Sequence, residues 1–174
     1  MELTRAERWI LVNQMRILEN LYPDEAEHLA TTRTILERGY ELHYGEQAQD
    51  IYERTLTEQE SREVIDIMSM YERMNWAYES LEDDDKAAID KGDIKFRGFD
   101  GNSGSGRLEY AQFYAEEMDR FKDLERPHDF NSHSSVIDMY RRMLEEWEAS
   151  GNKWELTKED IERIIAAQTH PSNR

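Results

Sequence analysis

Apolar residues recur at three- and four-residue steps along most of this chain, which is the spacing of one face of an α-helix. The longest stripe predicts a helix over about residues 58–81 that forms the central spine of the fold. Its members are Val64, Ile67, Met68, Tyr71, Met74, Tyr78 and Leu81. A helix over about residues 5–22 carries two neighbouring stripes, one of Leu11, Met15, Leu18 and Tyr22 and one of Ile10, Gln14, Ile17 and Leu21.

Three predicted helices share one starting signal, a threonine followed three residues later by an acidic residue. It occurs at Thr4–Glu7, Thr57–Glu60 and Thr157–Asp160, each time before apolar residues at helical spacing. In this capping box the threonine oxygen accepts a bond from a backbone N–H of the first turn, and the acid reaches back to the threonine N–H. The acid also suits the positive end of the helix dipole. These repeated starts predict a chain built almost wholly of helices.

Proline and glycine set the limits of the second helix. Pro23 can serve as its first residue, because the N–H that proline lacks has no partner at that position. The helix is expected to run to about Arg38, with Gly39 as a left-handed end. Residues 40–55 fit a helix interrupted at Gly45.

The second half of the chain contains further predicted helices. The acidic run 82–85 is expected to be a solvated turn, because acids are unfavourable at a helix C-terminus. A short helix follows over about 86–91, and a longer one over about 107–124. Another is capped by Ser134 or Ser135 and stops at Gly151, and the last covers about 158–168.

An irregular segment separates these helical regions. Residues 94–99 alternate apolar and charged side chains, which predicts an extended segment or one short strand. Residues 101–106 form a glycine-rich loop. The predicted fold class is therefore all-α and multihelical. An N-terminal helical lobe (1–92) and a C-terminal part made of the irregular segment and a helical lobe (93–174) would form one compact unit.

The charge of the chain restricts its partners. Asp and Glu number 39 against 22 Lys and Arg, giving a net charge of −17. Nucleic acids and anionic lipids bind through Lys and Arg, so both are disfavoured as partners. Cysteine is absent, which excludes disulfides, thiolate metal sites and cysteine nucleophiles. We see no signal-peptide pattern and no run of transmembrane length, so the expected location is cytoplasmic.

Two loops resemble metal sites. In the glycine loop an EF-hand register places Gly101 and Gln112 where calcium needs Asp and Glu, so a loop before a helix is the expected structure. His128, Asp129 and His133 are the residue types that ligate a transition metal. Their loop position does not fix a geometry, and surface residues around a helix cap are the alternative. We therefore predict no bound metal and no cofactor.

Two kinds of residue remain as candidates for function. Arg38 and His43 have the spacing found in HEPN-type helical ribonucleases, where Arg steadies the phosphate and His does acid–base chemistry. The alternative is that Arg38 simply lies near a helix C-terminus, where a cation is favoured. Trp76 and Tyr110 fit their apolar stripes less well than the other aromatic residues. If they are exposed, they are candidates for a partner surface.

Several segments, in one order along nearly the whole chain, resemble the YfbU family of bacterial proteins. They are residues 2–8 (ELTRAER), 13–14, 35–40 (ILERGY), 64–71 (VIDIMSMY), 96–100 (FRGFD), 130–131 and 140–144 (YRRML).

The resemblance implies an all-α, multihelical, cytosolic protein that self-associates. It implies little about activity, because the family has no established catalytic residues to carry over. It marks Tyr40, Gly98, Phe99 and Asp100 as family pattern and so as ligand or partner candidates. His43 departs from the family, in which a glutamine can stand at this place, and this weakens the ribonuclease hypothesis.

Three hypotheses follow from the sequence. The first is a non-enzymatic interaction or regulatory protein that works as a homo-oligomer, a dimer or larger, with a protein partner that the sequence does not identify. The second is a ribonuclease or other hydrolase with Arg38 and His43 in a groove, joined by Asp100 and His128. The third is a small-ligand site near Gly98 and Asp100, which predicts a pocket there.

Overall fold

The fold consists of α-helices joined by turns and loops, as the sequence predicts. The computed structural model describes residues 1–52, 54–170 and 172, and none of these residues lies in a β-strand. The helices are α1 (Arg5–Leu21), α2 (Ala26–Arg38), α3 (Glu58–Glu79), α4 (Asp83–Lys86), α5 (Arg107–Gln112), α6 (Ile137–Ala149) and α7 (Lys158–Ala166). Within the described part of the chain, no helix has the length and apolar character needed to cross a membrane.

All three predicted capping boxes are present. The Thr4 oxygen accepts a bond from Glu7 N at 3.2 Å, and a Glu7 carboxylate oxygen accepts one from Thr4 N at 2.7 Å. The same pair of bonds starts α3 at Thr57–Glu60 and α7 at Thr157–Asp160. These four-residue signals succeed because every atom they use is local in sequence.

Between α1 and α3 the chain is less helical than the stripes indicate. Residues Pro23–Glu25 form a 3₁₀ turn, and α2 begins only at Ala26. Gly39 ends α2 with a φ of 71°, as predicted. The interrupted helix expected over residues 40–55 is wrong, because the described residues of this stretch form only two single 3₁₀ turns, at Glu41–His43 and Glu46–Ala48.

Three predictions in the second half also need correction. The short helix covers Asp83–Lys86 rather than residues 86–91, and its aspartates occupy the first turn, where negative charge is favourable. The helix expected over 107–124 stops being α-helical at Gln112 and continues as a π-helix over Phe113–Glu117. Helix α6 is capped by Val136 without a side-chain hydrogen bond, so neither Ser134 nor Ser135 caps it.

Contacts within the chain define two compact units, Met1–Arg54 and Thr55–Arg174. The predicted lobe boundary at 92/93 lies inside the second of these, and Ile89, Ile94 and Phe96 belong to one hydrophobic core there. The division into lobes at 92/93 stays a prediction.

Unit 1 (Met1–Arg54) is a pair of packed helices with a small core. Helix α1 packs along α2, and the buried apolar residues are Val12, Leu36 and Tyr44. An ion pair between Arg33 and Glu19 joins the two helices at 2.6 Å. An apolar cavity of about 320 Å³ lies beside this core, lined by Leu11, Met15, Leu29, Tyr44 and Ile51 among others.

Unit 2 (Thr55–Arg174) surrounds α3 with the other helices and the irregular segment. Four aromatic rings form its centre, with ring centroids 5.5–5.9 Å apart: Tyr71, Phe96, Phe99 and Tyr140. All four side chains are buried. The carboxylate of Glu63 on α3 pairs with Arg107 of α5 at 2.9 Å and with Arg141 of α6 at 2.7 Å, which ties three helices together.

The glycine loop lies at the surface of unit 2. Gly101–Ser103 make one 3₁₀ turn, and Gly104 follows with a φ of 58° and open space where a Cβ would stand. The predicted extended segment ends in a single parallel bridge between Phe99 and Asn131. This bridge fixes the backbone at the start of the glycine loop.

Candidate functional site

Gly98 and Phe99, two of the predicted partner residues, are built into the core of unit 2. Gly98 has a φ of 86°, and a Cβ there would overlap the carbonyl oxygen of Phe130. Phe99 N donates to that same oxygen at 2.8 Å, and Phe99 O accepts from Ser132 N at 3.0 Å. Only glycine permits this close approach of two backbones.

Tyr140 holds the same segment from the other side. Its hydroxyl donates to Gly98 O at 2.9 Å and accepts from Arg97 N at 3.2 Å. Burial raises the pKa of this hydroxyl, so it remains protonated and able to donate. The family segments at 96–100, 130–131 and 140–144 therefore meet at one place, where they fix the backbone.

Asp100 organises the turn after this junction. Its carboxylate accepts a bond from Asn102 N at 3.0 Å. Asn131 Oδ1 accepts from Gly101 N at 3.2 Å and from His133 N at 2.9 Å. The cavity beside Asp100 holds about 60 Å³. That is room for a few waters and well below the ~300 Å³ at which small-molecule pockets begin.

Trp76, a further candidate, is 45% exposed and has an unusual neighbour. The guanidinium of Arg73 lies between two indole rings, 4.4 Å from the Trp76 centroid and 4.5 Å from that of Trp154. Such cation–π stacking favours a fixed Arg between the rings. Tyr110 is half-buried and begins an aromatic row that runs through Tyr114 to Phe121.

Arg38 and His43 lie in unit 1, and each has its own partner. Arg38 donates to the Tyr40 hydroxyl at 3.3 Å, and this bond raises the pKa of the guanidinium. His43 Nδ1 lies 3.0 Å from a carboxylate oxygen of Glu46. Tyr40 is thus an exposed side chain beside Arg38. Nothing in this geometry favours the ribonuclease hypothesis.

The two histidines of the 128–133 loop do not form a metal site with their neighbours. His133 Nε2 lies 3.7 Å from Asp129 Oδ2, and Asp129 Oδ1 accepts a bond from Asn131 N. Among the described residues no three His, Cys, Asp or Glu side chains come together in a way that could hold a metal ion.

Several exposed large apolar side chains lie on α1, where the sequence predicts no partner residue. On α1 the side chains of Trp9, Ile10, Ile17 and Leu21 are 70%, 56%, 59% and 65% exposed. Ile10, Ile17 and Leu21 lie on the side of the helix opposite Val12, which faces the core of unit 1, whereas Trp9 lies nearer to Val12. The sequence contains a signal for this surface, because the first helix has a second apolar stripe. A helix that buries only one face needs only one stripe.

The arrangement on α1 suits binding of a protein surface rather than chemistry on a small molecule. Exposed Trp and aliphatic side chains on a rigid helix are typical of interface centres.

A comparison with protein-family models agrees with the resemblance of the segments named in the sequence analysis. The YfbU domain family model matches residues 1–167 of the 174, and the protein belongs to the YfbU family.

Proposed function

We propose that this protein is a non-enzymatic interaction or regulatory protein that acts as a homo-oligomer. The observation that carries the proposal is the imbalance in unit 1. Its described residues bury three apolar side chains in the core, whereas ten large apolar side chains are exposed. These ten are Met1, Trp9, Ile10, Ile17, Leu21, Tyr22, Tyr40, Leu42, Ile51 and Tyr52.

Hydrophobic burial explains why this imbalance favours association. Removing a large aliphatic or aromatic side chain from water stabilises by roughly 1.5–3 kcal/mol. A pair of helices with so small a core gains much from any surface that covers its outer face. Contiguous apolar patches on a surface mark sites of protein association.

The bonding of the candidate catalytic groups also supports a non-enzymatic role. Arg38 is held by Tyr40, and His43 by Glu46. A general acid or base needs a partner arranged toward a substrate, and these two side chains are directed to different neighbours.

Sedimentation velocity of the untagged protein tests the proposal, with native mass spectrometry as the second readout. We expect a bare homo-oligomer whose mass is a multiple of 20.8 kDa. A monomer throughout the accessible concentration range would overturn self-association.

An RNA-cleavage assay with an unstructured oligonucleotide tests the other half of the proposal. We expect no cleavage above the buffer control, and no change with Arg38→Ala or His43→Ala. Cleavage that both substitutions abolish, with helical content unchanged, would overturn the non-enzymatic role.

A further inference from the structure

We infer that the partner covering the exposed face of α1 is the α1 helix of a second copy, packed antiparallel. This inference rests on the proposed self-association and adds the surface, the direction and the register. Its basis is the order of apolar and polar side chains on the exposed face of α1, which is the same from the N-terminus as from the C-terminus of the helix.

The exposed stripe of α1 is symmetric about its midpoint. Ile10 and Ile17 lie equally far from the point between Asn13 and Gln14, and so do Ala6 and Leu21. All six positions are exposed. In an antiparallel pair related by a twofold axis at this point, Ile10 of each copy therefore faces Ile17 of the other, and Ala6 faces Leu21.

The polar residues of the stripe fall where such a pair can use them. Asn13 and Gln14 stand at the twofold axis, so the two amide side chains of one copy face those of the other. Amide side chains at the centre of a helix interface can hydrogen-bond to each other only when the two helices are in the matching register. A shifted register buries the amides against apolar groups, where they have no hydrogen-bond partner. The amides therefore favour this one alignment over its neighbours.

The charges along α1 permit two copies to approach. Each chain carries a net charge of −17, so most surfaces of two copies repel each other. Residues 8–18 contain no acidic residue, and they carry Arg8 and Arg16. Helix α1 contains two acids, and Glu19 is paired with Arg33 of α2. The other, Glu7, lies at the start of the stripe, and antiparallel packing places its two copies at opposite ends of the contact.

An antiparallel contact also gives each unit 1 a second packing partner. Helix α1 has apolar residues on two opposite faces, one against α2 and one exposed. A helix that is apolar on both sides is typical of the interior of a bundle. Two copies of the α1–α2 pair, joined through α1, form a symmetric four-helix arrangement in which both faces are covered.

Paired cysteines test direction and register together, because the natural chain has no cysteine. Ile10→Cys and Ile17→Cys proteins are prepared separately, mixed and oxidised. We expect a disulfide between the two variants in the mixture and little in either protein alone. Residue 10 of one copy lies opposite residue 17 of the other, so the two copies of residue 10 are offset by seven residues along the helix pair. This offset is about 10 Å, which exceeds the ~7 Å limit between the Cα atoms of a disulfide.

Mixing Ile10→Cys with Glu27→Cys is the matched control, since Glu27 is an exposed residue of α2. No heterodisulfide is expected there. A disulfide in Ile10→Cys alone would mean parallel packing or another register, and would overturn the inference.

A charge placed in the stripe supplies an independent test by sedimentation equilibrium. Ile17→Glu should weaken the dimer by about 100-fold or more, because two carboxylates are then buried against Ile10 of the partner. Thr31→Glu on the exposed side of α2 is the charge-matched control and should change the dissociation constant little.

The outcomes separate the two proposals. A monomeric wild-type protein overturns both. A wild-type oligomer that Ile17→Glu leaves intact, and that the mixed cysteines do not cross-link, overturns the α1 contact alone and leaves self-association standing through another surface.

Discussion

Units 1 and 2 of this protein use their apolar residues in opposite ways. In unit 2, 22 apolar residues form one buried core, and among the described residues four large ones stay exposed: Trp76, Phe113, Met118 and Trp154. In unit 1 the proportion is reversed, with three buried and ten exposed. Unit 2 therefore has a large core of its own, whereas unit 1 has the exposed apolar surface that the proposed self-association would cover.

The difference also separates two kinds of family residue. The segments at 96–100, 130–131 and 140–144 meet inside unit 2 and lock its backbone. The segment at 2–8 begins α1, the helix that exposes its apolar stripe. The family segments of unit 2 therefore stabilise its fold. The family segment of unit 1 lies in the helix through which we propose that two copies associate.

The largest effect expected within unit 2 comes from Gly98→Ala. The φ of residue 98 is one that alanine disfavours, and the added Cβ would overlap Phe130 O. We therefore expect a loss of about 3 kcal/mol or more in the free energy of unfolding. Urea denaturation followed by circular dichroism measures it. Gly104→Ala is the control, because Gly104 also has a positive φ but open space around it, and it should cost about 1 kcal/mol. Equal losses would show that the close approach at Gly98 is unimportant.

Tyr140→Phe should have the next largest effect. The substitution leaves Gly98 O and Arg97 N without the hydroxyl that bonds both, at a cost of about 2–3 kcal/mol in unfolding free energy. Tyr71→Phe is the matched control, since among the described residues the Tyr71 hydroxyl donates a hydrogen bond only to the weak acceptor Met143 Sδ, at 3.5 Å. If the two variants unfold at the same urea concentration, the hydrogen bonds of the Tyr140 hydroxyl to residues 97 and 98 do not stabilise the fold.

Hydrogen exchange compares the two units in one experiment. We expect amides of α1 and α2 to be less protected than those of α3, because fewer buried contacts hold them. If a second copy stabilises unit 1, a tenfold rise in protein concentration should slow exchange there by up to about tenfold, equivalent to ~1.4 kcal/mol. Exchange in α3 should stay unchanged. Protection in α1 that is independent of concentration would argue against a stabilising partner copy.

The capping boxes allow the same substitution in each unit. Thr4→Ala and Thr57→Ala each remove an oxygen that accepts a first-turn N–H, at a typical cost of about 1 kcal/mol. We expect Thr57→Ala to lower the midpoint of the main unfolding transition. Thr4→Ala should instead raise exchange in α1 and α2 and leave that midpoint nearly unchanged. A shared loss in the main transition would show that the two units unfold together.

The smallest effect is a pH dependence at the start of α1. Hydrogen bonds from the Thr4 side chain and backbone lower the pKa of Glu7 below its ordinary value of 4.5. The charged form thus stabilises the folded helix above pH 4.5, and this stabilisation is lost as pH falls through the lower folded value. Exchange in α1 should rise in that acidic range, and Glu7→Gln should flatten the dependence. Glu2→Gln, just outside the helix, is the charge-matched control.

Signals confined to a few neighbouring residues were sufficient to predict much of the fold. The threonine boxes start α1, α3 and α7 at the predicted residues, and Gly39 ends α2 in the left-handed conformation. The α3 stripe predicts a spine, and Val64, Ile67 and Met68 are fully buried. Each of these features is encoded within one or two helical turns.

Features that depend on distant residues were not predictable in the same way. The stripe after Arg107 continues to Phe121, yet the α-helix gives way at Gln112 and the backbone turns at Asp119 and Phe121, which have positive φ values. Gly98 was singled out by family pattern, but its partner Phe130 lies 32 residues further along the chain. No local pattern states that these two backbones meet.

The candidate site was the least predictable part. The sequence marks Trp76 and Asp100 as candidates because they are unusual, whereas the stripe that contains Ile10 and Ile17 has the regular pattern of any helix. Apolar residues on a helix have the same pattern whether they face a core or a partner. Only the exposed fraction of each side chain distinguishes the two, and that requires the folded unit.

The surface loop that leaves from the Phe99–Asn131 bridge has a practical consequence for handling the protein. Gly104 is exposed, and no described residue other than its chain neighbours has an atom within 4 Å of where a Cβ would stand. The bridge anchors the loop at its base. Lengthening an anchored loop costs only about 0.6 kcal/mol for each doubling. A peptide epitope or a fluorescent label inserted after Gly104 would therefore mark the protein while leaving the start of α1 in its natural form.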